Sequence, residues 1–152
     1  MNPQFRVDVE DPDESDDDPT GTIVIGLMQM GMREKLQVPF TIGYAIYEFP
    51  RTAPPNSLLS HEFFMRTASK ARSPVFSNTR EVCGRHKLPP GRYVIIPSTF
   101  EPNLEAKFLL RIFSEKAYNA RWVCVCVCVC VGVSAKRDLV YVSSGRVVLW
   151  HA

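Results

Sequence analysis

Every run of this chain with a regular apolar pattern is short, and nearly every one ends in proline, glycine or a knot of charge. Gln4 to Val9 alternates, with Phe5, Val7 and Val9 on one face, which is the period of a half-buried strand. Thr22 to Met30 is mostly apolar on both faces, and Thr41 to Phe49 is rich in the aromatic and β-branched types that suit a pleated surface. Arg92 to Pro97 and Lys107 to Phe113 read as further strands, while Glu62 to Met65 and Val75 to Val82 are less regular candidates. Leu88-Pro89-Pro90-Gly91 marks a turn, with Pro90 preset for position i+1 and Gly91 able to take a positive φ at i+2. Seven or so short strands, turn signals between them and no long helical period predict an all-β domain, an antiparallel β-sandwich of roughly 115 residues.

Charge is spread unevenly over that frame. Asp8, Glu10, Asp11, Asp13, Glu14, Asp16, Asp17 and Asp18 fall within eleven residues. Residues 1–18 hold these eight acids and Arg6, a formal −7; residues 19–152 hold 17 Lys and Arg against 8 acids, +9, and the two give the whole chain's +2. Carboxylates this close repel where the screening length is about 8 Å. They call for a cation: Ca²⁺, a basic protein surface or the chain's own basic face. The alternative is a solvated linker that keeps the chain soluble. Its position between two strands, where a short turn would serve, favours an electrostatic contact.

An EF-hand does not fit. Counting from Asp16 puts Asp18 at position 3 and Gly21 at position 6, but Thr20 at position 5 and Leu27 where the final glutamate belongs. Ca²⁺ could still be held by several carboxylates of a flexible loop, because it accepts 6–8 oxygens in loose geometry.

Other features bound the setting. No stretch approaches the roughly 18 apolar residues of a membrane span. The N-terminus has neither the basic segment nor the apolar core of a signal peptide. Four of the five cysteines sit at 124–130, which is no disulfide framework, so a reducing, cytoplasmic location is expected.

The segments NPQFRV, IVIGLMQ, TIGYAIYE, ASKARS, REV, KLPPGRYVIIPSTFEPN and FLLRIFSEK occur in that order, with the acidic stretch after the first. Together they resemble the C2-like domain of the calpain large (catalytic) subunit, from about Asn2 to Lys116. The resemblance implies an eight-stranded antiparallel sandwich over 1–117, set between a protease core and an EF-hand domain of a calcium-dependent cysteine endopeptidase. It also implies that the acids of Asp8–Asp18 pair with basic residues of the protease core and take part in Ca²⁺ and phospholipid responses. A calpain small subunit is a further implied partner, and no nucleic acid is. The family usually carries an Arg- and Lys-rich run after the LMQ strand; here MGMREKLQVPF has only Arg33 and Lys35. No protease core is expected in this chain, so it would not cut peptide bonds unaided. The other reading is a free-standing C2-like module that binds membranes or proteins in a Ca²⁺-dependent way.

Cys83 and His86 are three apart and His61 falls in an expected loop, but no base-orienting partner or oxyanion donor accompanies them. A buried thiol and a surface imidazole are expected instead. Beyond about Ala117 the resemblance stops, and residues 118–152 form a non-homologous tail. Val123 to Val131 alternates valine with Cys124, Cys126, Cys128 and Cys130. A zinc site needs a turn between its ligand pairs, which a stiff C-x-C strand does not supply. A GT repeat read in any frame yields alternating Val and Cys, so this tail reads as translated intron or a mispredicted exon.

Overall fold

A computed structural model describes residues 2–10, 19–31, 38–54, 57–104, 106–114, 121–123 and 142–143. They form β1 (Gln4–Val9), β2 (Gly21–Gln29), β3 (Ile42–Glu48), a short helix α1 (His61–Arg66), β4 (Ala71–Arg72), β5 (Glu81–Leu88), β6 (Gly91–Thr99), β7 (Phe108–Ser114), β8 (Arg121–Val123) and β9 (Val142–Ser143). Two antiparallel sheets result, ordered β4-β3-β6-β1-β8 and β5-β2-β7-β9. The chain is an all-β sandwich. The span expected to hold eight strands holds seven, β1–β7, and β8 and β9 belong to the residues beyond it.

Alternation builds the core. Phe5, Val7 and Val9 of β1, Tyr44 and Ile46 of β3, and Tyr93 and Ile95 of β6 face Ile23, Ile25 and Leu27 of β2 and Leu110 and Ile112 of β7. Each such side chain contributes about 1.5–3 kcal/mol on burial. Phe5 and Phe108 meet edge to face across the sheets, their ring centroids 5.9 Å apart.

A third layer covers the outer face of the first sheet. Phe49 and Leu59 pack on Val94 and Ile96, flanked by Tyr47, Phe63 and Phe64. This is why β6 reads as an unbroken apolar run: Tyr93 and Ile95 serve the inner core, while Val94 and Ile96 serve the outer one. The proline-bearing segment that follows β3 is held down by Gln4, whose amide exchanges hydrogen bonds with both backbone groups of Leu59.

Three local expectations are corrected. Glu62–Met65 is helical, because Ser60 caps the turn by accepting from the Phe63 N–H, and Glu62 pairs with Arg66 one turn on at 2.8 Å. His61 therefore opens a helix and is not in a loop. The strand expected at Val75–Val82 begins at Glu81, after Pro74 and a turn that Thr79 closes on the Glu81 carbonyl at 2.9 Å. Gly91 takes no positive φ; among the described glycines only Gly31 does, at 75°, where the chain turns away after β2. Leu88 and Gly91 lie in different sheets, so Pro89-Pro90 is a stiff crossover between layers.

Candidate functional site

The acidic stretch starts inside β1. Asp8 alternates with Val7 and Val9, so it points to the outer face, half-buried and directly opposite Arg92 of β6. Glu10 follows the strand and is exposed. Asp11, Asp13, Glu14, Asp16, Asp17 and Asp18 lie outside the described residues, as do Arg33 and Lys35 of the later connection.

The base of the stretch is well defined. Gly21, the first residue of β2, is packed so tightly on the Glu10 carbonyl and the Val9 side chain that a Cβ there would collide with both. The segment therefore leaves the first sheet and enters the second at almost one point. Its neighbours follow from the registers: Val9 pairs with Gly91 and Gly21 with Leu88. The ends of two crossovers in opposite directions, the acidic one and the one made stiff by Pro89-Pro90, thus stand side by side at one end of the sandwich.

Basic residues share this end. Arg92 faces Asp8, Lys87 lies opposite Thr22, and the Arg51 carbonyl is within 3.5 Å of Arg92 Nη2. Sequence reasoning missed Arg92 as a member of the site. The available signal was alternation, which puts Arg6 and Asp8 on one face of β1, but their cross-strand neighbours needed the register.

Ca²⁺ fits the described residues poorly. Among them no group of three or more His, Cys, Asp or Glu could hold a metal ion. Asp8 and Glu10 alone offer too few oxygens for an ion that takes 6–8. Among the described residues, no helix is long and apolar enough to cross a membrane.

Cys83 and His86 lie on opposite faces of β5, as residues three apart on a strand must. The expected burial is reversed. Cys83 is exposed on the outer face, its thiol 3.4 Å from Glu81 Oε1. Partial burial, then the hydrogen bond and charge of Glu81, push that thiol up from its ordinary value, away from a reactive thiolate. His86 turns inward, and its Nε2 lies 2.9 Å from Tyr44 Oη. Burial lowers the imidazole and raises the phenol. Tyr44 comes from the opposite sheet, and Gly84 leaves the space its hydroxyl occupies. This pair ties the two layers together. Nearby, Arg111 and Glu81 form an ion pair on the outer face of the second sheet, beside Gly26.

Comparison with known proteins fits this architecture. The family described as "Calpain large subunit, domain III" matches residues 1–113. The chain is 49% identical over 121 residues to Calpain-B of Drosophila melanogaster, covering 78% of this chain and 13% of the relative. It is 46% identical over 126 residues to the Calpain-2 catalytic subunit of Gallus gallus, covering 78% and 18%. Against the Calpain-1 catalytic subunit of Homo sapiens it is 45% identical over 126 residues, covering 77% and 18%. The chain thus spans less than a fifth of the length of these curated relatives.

Proposed function

Because this chain belongs to the calpain large subunit, domain III family, we propose that it is the regulatory, non-catalytic module of a calcium-dependent cysteine endopeptidase. Its acidic stretch conveys Ca²⁺ level to a protease core elsewhere in the parent chain. The carboxylates engage a basic surface of that core, and Ca²⁺ or an acidic phospholipid surface shifts the balance. An EF-hand domain and a small subunit complete the assembly, which works in the cytoplasm. A coupling of this kind amounts to about 1–3 kcal/mol between two states.

One observation carries the reading. The acidic segment departs and returns at a single tight point, where Gly21 meets Glu10, between two rigid sheets. Force on the segment is therefore passed to the sandwich as a whole, which is what a lever between neighbouring domains requires.

Calorimetric titration of the chain with Ca²⁺ tests this, beside a variant with Asp16, Asp17 and Asp18 changed to Asn. Weak binding is expected in the parent and clearly reduced heat in the variant. Equal heats in the two would remove the stretch from the mechanism.

A further inference from the structure

The outer face of the first sheet carries a second charged feature, of opposite sign to the acidic stretch. The Arg6 and Arg92 guanidinium carbons lie 4.2 and 5.4 Å from the centroid of one ring, Phe49. Both are within the ~6 Å range of a cation–π contact. Phe49 is only 2% exposed, so the ring is a fixed buttress. Arg6 Nη2 donates to the Ser57 carbonyl, and Arg92 Nη2 is 3.5 Å from the Arg51 carbonyl. Each guanidinium has further N–H groups to give, since arginine carries five.

The charge of this pair is under-compensated among the described residues. Among the described residues, ion pairs join Arg66 to Glu62, Lys70 to Glu48 and Arg111 to Glu81, and neither Arg6 nor Arg92 takes part in one. Burial and, next, the Arg92 charge hold the Arg6 guanidinium below its ordinary value, and Asp8 pulls the other way with less effect. Two like charges are therefore held together by a ring and by backbone carbonyls, with Asp8 at their side. A planar, forked pair of donors in this state suits a planar anion.

We propose that Arg6 and Arg92, stacked against Phe49, form a carboxylate-binding site for aspartate or glutamate side chains of an acidic polypeptide segment. Both arginines are half-buried beside the layer that covers the sheet. A slender side chain can reach guanidiniums recessed in this way, whereas a flat bilayer would meet the protruding groups first. The site stands independently of any Ca²⁺ role for the acidic stretch.

The test is fluorescence anisotropy of a labelled hexaglutamate peptide titrated into the full chain at low and at physiological salt. Saturable binding that weakens with salt is expected. Arg92→Gln should weaken it about tenfold, and Arg92→Lys should as well, because lysine keeps the charge but loses the fork. Asp8→Asn should tighten it about two- to fivefold by removing the competing acid. Lys107→Gln, at an exposed position outside the pair, should leave it unchanged. Arg6 also tethers Ser57, so the Arg92 variants carry the test, with thermal unfolding to confirm that they fold. Equal binding by the parent and Arg92→Gln would overturn the proposal. So would Arg92-dependent binding to phosphatidylserine vesicles with none to the peptide.

Discussion

Gln4 and Leu59 exchange two hydrogen bonds: the Gln4 amide donates to the Leu59 carbonyl at 2.8 Å and accepts from the Leu59 N–H at 2.9 Å. A side chain thereby stands in for a neighbouring strand. Gln29 does the same in the other sheet, at the last residue of β2. Its amide bonds the N–H and carbonyl of Phe40 at 2.9 and 2.6 Å, and also the Thr79 carbonyl at 2.9 Å. Both glutamines are buried, so these bonds are shielded from competing water.

Gln4→Ala is expected to cost about 2–6 kcal/mol, because it leaves two buried backbone groups of Leu59 unpaired at about 1–3 kcal/mol each. Urea unfolding reads the loss. Limited proteolysis between β3 and α1 should speed up at the same time. An unchanged unfolding midpoint would mean that the outer layer holds Leu59 without the amide.

Gly21→Ala should destabilise the fold by about 1–3 kcal/mol, the usual range for forcing extra atoms into a packed site. The new methyl meets the Glu10 backbone and the Val9 side chain, neither of which can swing aside. Thermal unfolding of the variant checks this. Gly31→Ala should be milder in packing, since a Cβ there meets nothing within 4 Å; its cost comes from a φ of 75°.

Acid should weaken the junction between the sheets. Burial lowers the His86 pKa in the folded chain, so the neutral imidazole is the form that the fold favours. Its contribution is present above the unfolded value of about 6.5 and is lost as pH falls through the lower folded value. The groups facing it are the Tyr44 hydroxyl and, behind that hydroxyl, the Ile25 carbonyl at 3.4 Å. Stability by urea unfolding should fall from pH 7 to pH 5 in the parent, and less steeply in His86→Gln. Tyr44→Phe should cost about 1–3 kcal/mol at pH 7 by leaving the imidazole without its hydroxyl partner.

The Val-Cys repeat, which lies outside the described residues from Cys124 on, invites a test at the level of the message. We infer that residues 118–152 are translated intron or a mispredicted exon. Sequencing the spliced transcript across the junction at Tyr118 should find no GT repeat. A mature message that encodes it would overturn this reading.

Much of the sandwich was legible because β1 alternates, β3 is rich in aromatic and β-branched residues, and β2, β6 and β7 are apolar runs of strand length. β5 was harder. Its outward positions are Cys83, Arg85 and Lys87, and Gly84 and His86 interrupt the inward apolar pattern. The adjacent Phe63 and Phe64 suggested a strand, yet they pack from one helical turn against Tyr47, at centroid distances of 6.4 and 5.0 Å. The charge of the acidic stretch was plain from composition. The meeting of Arg6, Phe49 and Arg92 was not, because it depends on strand order and on a loop folding back over the sheet. The two glutamine clamps were hidden for a related reason: one amide in an apolar strand looks like an interruption until its distant backbone partners are seen.

The tight convergence of Glu10 and Gly21 has a practical corollary. A segment whose two ends share one foothold can be lengthened, shortened or exchanged for a foreign sequence without shearing the layers beneath. Each doubling of its length adds only about 0.6 kcal/mol of closure entropy. A sensor peptide or small reporter grafted between those two residues should therefore leave the scaffold standing, making this corner of the protein a natural socket for engineered calcium readouts.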